Sequence, residues 1–173
     1  MPHTYSQNYL HVVFSTKERR KLITKEFQPK LWSYMAGIAG NNGFLVLANG
    51  GMEDHAHLLI QLPATLALAK AVQLIKGSSS QWVGEHGWKF SWQEGYGAFS
   101  VSKSNINAVV KYLQIRKRTI AGLRENEFIA LLDKYGIEYD PRYVSPPTGL
   151  CCLSVYPMLK HWANSCRASR RCK

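Results

Sequence analysis

Cysteine is absent from the first 150 residues; the four present are Cys151, Cys152, Cys166 and Cys172. An adjacent pair followed by two isolated cysteines, with only His161 nearby, lacks the paired C-x-x-C spacing of a zinc site. No thiol elsewhere is there to bridge, so neither a structural zinc nor a disulfide framework is expected. Long apolar runs are also missing. None nears the roughly 18 residues that a bilayer-spanning helix needs, and the opening MPHTYSQNYL has no basic-then-apolar leader pattern. These absences lead to the expectation of a cytoplasmic protein with no membrane partner. Acid is scarce: 11 Asp and Glu stand against 22 Lys and Arg, a formal net charge of +11. Residues 145–173 hold five of the basic side chains and none of the acidic ones, which leaves the body 17 against 11. A surplus of this sign favours a polyanionic partner, nucleic acid first, although a body this moderately basic also suits an ordinary soluble protein.

What is present suits one globular domain over 1–144, followed by a basic, cysteine-containing tail over 145–173 that has no periodicity and reads as appended, mobile or loosely docked. YLHVVFS (9–15) alternates as a strand with one buried face, and TKERRK (16–21) follows it as a basic turn. A helix is expected from about Thr24, as N-cap, to the NNG at 41–43. FLVLANGG (44–51) and the segment through residue 62 read as a hairpin. A second amphipathic helix is expected over 66–86, a fourth strand within 95–103, and a third helix capped by Ser104 with Ile106, Val109, Val110, Leu113 and Ile120 as its stripe. ENEFIALLDKYG (125–136) is a further helical segment. The order predicts an α+β fold, a ferredoxin-like split βαβ sandwich whose antiparallel sheet carries helices on one face and leaves the other open.

MEDHAHLLIQL (52–62) bears the chemistry. In a strand, His55, His57, Leu59 and Gln61 share one side, and Ala56, Leu58, Ile60 and Leu62 the other, so both imidazoles point to the open face. Rings two residues apart can share one metal ion; they can equally be surface side chains bonded to acids or water. Imidazole suits Mn, Co, Ni or Zn better than Mg, though phosphate oxygens of a substrate can complete the shell of a harder ion. Tyr112 falls about a quarter turn from the centre of the third helix's stripe. There it is either packing or a phenol able to act as a nucleophile, with Lys111 and Arg116 within a turn.

These residues resemble a known family. GGMEDHAHLL, HVVFSTKERRKLI (11–23), IKGSSSQW (75–82), FSWQEGYGAFSVSKS (90–104), VVKYL around Tyr112 and EFIALLDKYGIEYDPRYV (127–144) are similar, in the expected order, to the single-tyrosine HUH transposases of bacterial insertion sequences, which include the REP-associated tyrosine transposases. The resemblance spans residues 5–144 and leaves out the tail. It implies that His55 and His57 hold a divalent metal, Mg or Mn, against a phosphodiester of single-stranded DNA. It further implies that Tyr112 attacks the phosphorus to give a 5′-phosphotyrosine and a free 3′-OH, and that another 3′-OH later rejoins strands. It also implies recognition of single-stranded DNA with hairpin ends, and a homodimer.

One departure stands out. Where the family commonly has a glutamine four residues after the tyrosine, completing the metal site, this chain has Arg116, and Gln114 points nearly the opposite way. A guanidinium has no acceptor for a cation, though it can grip a phosphate. Activity is therefore expected to be reduced, or lost in favour of a non-catalytic hairpin-binding role. Other candidate nucleic-acid contacts are Lys17, Arg19, Arg20 and Lys21 in the basic turn and Lys76, Ser78, Ser79 and Ser80 in the second helix. Trp92, Tyr96 and Phe99 are candidates for stacking on unpaired bases, Phe99 being also a core residue in prospect. His11 shares the open face by alternation.

Overall fold

Backbone hydrogen bonds in the computed structural model, which describes residues 5–116 and 132–138, join four strands into one antiparallel sheet. The elements are β1 (Asn8–Ser15), α1 (Gln28–Asn41), β2 (Leu45–Gly51), β3 (His55–Leu62), α2 (Leu68–Glu85), β4 (Gly97–Ser100) and α3 (Ile106–Arg116). The strand order is β2-β3-β1-β4, so β1 and β3 lie at the centre. The described residues fall in two units, Met1–Ala121 and Gly122–Lys173, each taken by itself. In the second, residues 132–134 are helical, and Gly136 at φ +63° ends the turn, as the sequence pattern predicts. The expected boundary at 144/145 and the tail lie outside the described residues.

The alternation read from the sequence governs packing. Val12 and Phe14 of β1, with Ala56, Leu58, Ile60 and Leu62 of β3, meet Leu31, Trp32, Met35 and Ile38 of α1 and Ala71, Val72, Ile75 and Val83 of α2 in the main core. Each Val, Leu, Ile, Met or Phe among them contributes about 1.5–3 kcal/mol on burial. Trp92 belongs to the same core, its ring edge-on to Phe14 and to Phe90, both at 4.7 Å. α1 begins at Gln28, not at Thr24. Thr24 instead opens a turn, accepting from Phe27 and Gln28 N–H through its carbonyl, and Pro29 then sits in the first helical turn, where its missing N–H costs nothing.

The sheet is open, with α1 and α2 against one face, as the ferredoxin-like reading requires. The histidine-bearing face is not bare, however. The apolar stripe of α3 needs burial of its own, and Leu113 closes a second small cluster with Leu59 and Val101, flanked by Ile106, Val109 and Val110. Two details of β2 make this docking fit. A bulge between Val46 and Ala48 lets Val46 pair with Ile60 on the main-core side while Ala48 pairs with Leu59 on the other side. Gly50 then faces α3 so closely that a Cβ there would lie 2.7 Å from the carbonyl oxygen of Leu113. Among the described residues no helix is long and apolar enough to cross a membrane.

Gly50→Ala is expected to lower stability by about 1–3 kcal/mol, the usual cost of overpacking, whereas Gly37→Ala, in the helical interior of α1 with open space around its Cβ, should raise it by roughly 0.5–1 kcal/mol. Urea midpoints at unchanged slope would show both; equal effects at the two glycines would contradict the close approach.

Candidate functional site

The central strand pair assembles the site. β1 and β3 run antiparallel with Val13 opposite His57, Ser15 opposite His55 and His11 opposite Leu59. His11 and His57 are therefore diagonal neighbours on one face, close enough for long side chains to touch. His11 Nε2 lies 3.0 Å from His57 Nδ1 inside the protein, and the two rings stack at 5.2 Å between centroids. The His55 ring stands 5.0 Å from that of His57, nearly perpendicular at 76°. All three imidazoles are buried, with 7%, 1% and 5% exposure at His55, His57 and His11, since α3 covers part of this face.

α3 brings the phenol. Leu113 anchors the helix, and its neighbour Tyr112, half-buried, presents its ring edge to both His11 and His57 at 6.3 Å between centroids. Tyrosine and histidines thus converge within one chain. Arg116 is the last residue of α3, and its side chain lies outside the described residues.

His55 is held from behind by a carboxylate. Its Nδ1 is 2.6 Å from Asp54 Oδ1, and the Arg19 guanidinium donates to Asp54 Oδ2 from Nε at 3.2 Å and from a terminal nitrogen at 3.1 Å. Burial alone raises the Asp54 carboxyl, but the hydrogen bond and charge of His55 and the Arg19 guanidinium outweigh it and hold the group below its ordinary range. An ionised carboxylate only accepts, so His55 Nδ1 is the donor. The backbone is shaped for this contact. Glu18 and Arg19 take φ of 57° and 52°, a left-handed turn that costs about 1–2 kcal/mol per residue. Strand-end hydrogen bonds hold it: Thr16 N–H to Asp54 O at 2.9 Å and Ile23 N–H to Glu53 O at 2.9 Å.

The other sequence candidates are placed differently. Arg19 turns inward to Asp54, Arg20 pairs with Glu18, and Lys17 and Lys21 are exposed. Lys76 does not reach outward as a phosphate ligand: its ammonium donates to the carbonyls of Gln93, Glu94 and Gly95 and lies 5.7 Å from the Phe14 ring centroid. Desolvation lowers its pKa, against an opposing pull from Glu94. Ser79 is fully buried, its hydroxyl donating to Lys76 O and accepting from Trp92 Nε1, so it serves the core rather than a phosphate. Ser78 and Ser80 are half-buried. Of the stacking candidates, Trp92 and Phe99 are buried and Tyr96 is 40% exposed. Sequence reasoning missed Asp54, although a carboxylate directly before a strand histidine was its signal.

The imidazole pair also allows a test of metal fit. Among the described residues no group of three or more His, Cys, Asp or Glu is arranged to hold an ion. Yet His55 and His57 each have Nδ1 engaged from behind, the arrangement in which a metal-ligating histidine is oriented by its outer partner. The residues fit as two ligands, with further positions left to substrate oxygens or water.

Comparison with known proteins identifies the family and the fold. The family described as IS200-like transposases matches residues 4–116. A relative, the ISDra2 transposase TnpA of Deinococcus radiodurans, is 26% identical over 120 residues, 65% of this chain and 85% of that protein. The solved structure of a Deinococcus radiodurans transposase superposes with a TM-score of 0.54 at 22% identity, over 67% of this chain and 95% of that one. A REP-associated tyrosine transposase bound to a REP hairpin gives 0.54 at 14% identity, over 91% and 94%. At those identities the two structures speak for the fold, while the family match covers well over half of the sequence: this chain belongs to the IS200-like transposase family.

Proposed function

We propose that this transposase nicks and rejoins single-stranded DNA at hairpin-flanked sites, with Tyr112 as the nucleophile. The observation that carries the reading is the approach of the Tyr112 ring to His57 and His11 on the sheet face, 6.3 Å from each. The phenol oxygen of Tyr112 forms a bond to phosphorus as the bond to the 3′-oxygen breaks; the phenol proton is released and the departing 3′-oxygen takes one up. The 5′-phosphotyrosine keeps the bond energy, so a second 3′-OH can displace the tyrosine and rejoin strands. His55 and His57 would hold Mg or Mn, which when bound supplies positive charge to a non-bridging phosphate oxygen. Asp54 and Arg19 orient His55 for that task. The chain's positive charge and the exposed Lys17 suit a DNA backbone. Arg116, one turn beyond Tyr112, would contact the scissile phosphate, and a homodimer would pair two hairpin ends.

A second reading is favoured by one observation, the lack of a three-residue ligand group among the described residues, together with Arg116 in place of glutamine: hairpin binding without chemistry. A single assay separates the two. The protein is mixed with Mn²⁺ and a labelled library of single-stranded oligonucleotides, each with a hairpin and randomised flanks, and resolved on a denaturing gel. A covalent band that Tyr112→Phe abolishes is expected; retention of hairpins with no such band in the wild type would establish the binding-only role instead.

Asp54→Asn should leave the fold intact and weaken Mn²⁺ binding and adduct yield by about 10-fold to 100-fold, the usual effect of losing an outer partner of a ligand. Titration calorimetry and the same gel would measure it, and unchanged affinity would remove Asp54 from the site.

A further inference from the structure

The two site histidines are held by unlike partners. An acceptor-only carboxylate fixes the proton of His55 on Nδ1, but the partner of His57 Nδ1 is the ring nitrogen of another histidine, which donates in one tautomer and accepts in the other. The direction of this bond decides what His57 presents to the site. If His11 Nε2 donates, His57 carries its proton on Nε2, and that nitrogen has no lone pair for a cation. If His11 Nε2 accepts, His57 is protonated on Nδ1 and its Nε2 is a ligand.

We propose that His11 is a positioning residue that holds His57 in the Nδ1-protonated tautomer and fixes its ring plane. The inference rests on the reading of His57 as a metal ligand. Its structural basis is independent of any ion. His11 and His57 are 5% and 1% exposed, so water has little access to compete for the 3.0 Å contact. The pairing register fixes the reach: His11 stands opposite Leu59 and His57 opposite Val13, a diagonal across the two central strands. The rings are inclined by only 24°, and Phe99 on β4 lies against His11 at 6.3 Å on the far side. His11 is thereby wedged between β4 and the site, and a change in its ring is passed to His57.

The test uses the full chain. Long-range ¹H–¹⁵N correlation spectra of the metal-free protein read the His57 tautomer directly, and titration calorimetry with Mn²⁺ alone reads the affinity. Three chains are compared: wild type, His11→Phe and His11→Gln. The glutamine side chain places its terminal oxygen three bonds from Cβ, where Nε2 of His11 stands, and can accept from His57 Nδ1. The expected result is an Nδ1-protonated His57 in wild type and in His11→Gln, with affinities within about threefold of each other. In His11→Phe a mixture of tautomers and a loss of roughly tenfold or more are expected. Should His11→Phe fail to fold, the wild-type and His11→Gln spectra still decide the matter. An Nε2-protonated His57 in wild type, or a His11→Phe chain that binds Mn²⁺ as tightly as wild type, would overturn the proposal. A wild type that takes up no Mn²⁺ would instead count against the metal reading of the function, and the tautomer spectrum would still decide whether His11 positions His57.

Discussion

The pairing of β1 with β3 in a single register is the constraint on which the site depends, because no local feature of either strand brings His11 to His57. With Val13 opposite His57, the diagonal contact forms; a slip of one residue would turn His57 toward the helices and Leu58 toward the site. What prevents the slip lies on the other face. Val12, Phe14, Ala56, Leu58, Ile60 and Leu62 are all buried under α1 and α2, and several of them would be moved out of the core at once. At about 1.5–3 kcal/mol for each large side chain, that penalty is of the same order as the whole stability of an ordinary domain. The apolar side of the sheet thus holds the polar side in place.

The three rings of the candidate site are then secured by different physics. His55 stands at the strand's beginning, near solvent, and is steadied electrostatically through Asp54 and Arg19, whose partly exposed ion pair would contribute little as a pair alone. His57, deeper, is steadied by a buried contact with His11. Tyr112 is placed by packing: Leu113 in its small cluster and the close approach of α3 to Gly50 set the helix, and the phenol follows. A disturbance at one anchor need not disturb the others, apart from the shared strand β3.

Much of this was legible in the sequence where periodicity governs. The alternation of 52–62 correctly sorted the two faces of β3, and the helical stripe over 66–86 found α2; the hairpin forms as expected, but Asn49 and Gly50, read as its turn signal, lie inside β2 and the chain turns at 52–54. Legibility ended where the outcome depends on partners distant in the chain. Alternation put His11 on the same side as the histidine pair, but only the pairing register turns shared side into contact. Thr24 looked like a cap because threonine commonly is one, while the structure gives the first turn to Gln28 and Pro29 and uses the Thr24 carbonyl instead. A face expected to be open is partly roofed by α3, since an amphipathic helix must bury its stripe somewhere and Leu59 and Val101 were waiting on that side. Ser79 falls on the buried stripe of α2 with Val72 and Ile75, while the partner of its hydroxyl, Trp92, comes from a distant part of the chain and is visible only in the fold.

The bulge in β2 has a consequence of its own. If Leu47 were an ordinary member of the alternation, parity would carry Ala48 and Gly50 to the same side as Val46, and the strand could serve only one layer. With the bulge, one edge strand is divided into two phases: its first half seals the helical layer, and its second half, starting at Ala48, offers a small-residue landing strip to α3 while Asn49 points back to bond the carbonyl of Trp32. Drawing Leu47 into regular alternation would exchange those duties without altering composition, so in β2 the phase of the backbone matters alongside the identity of the side chains.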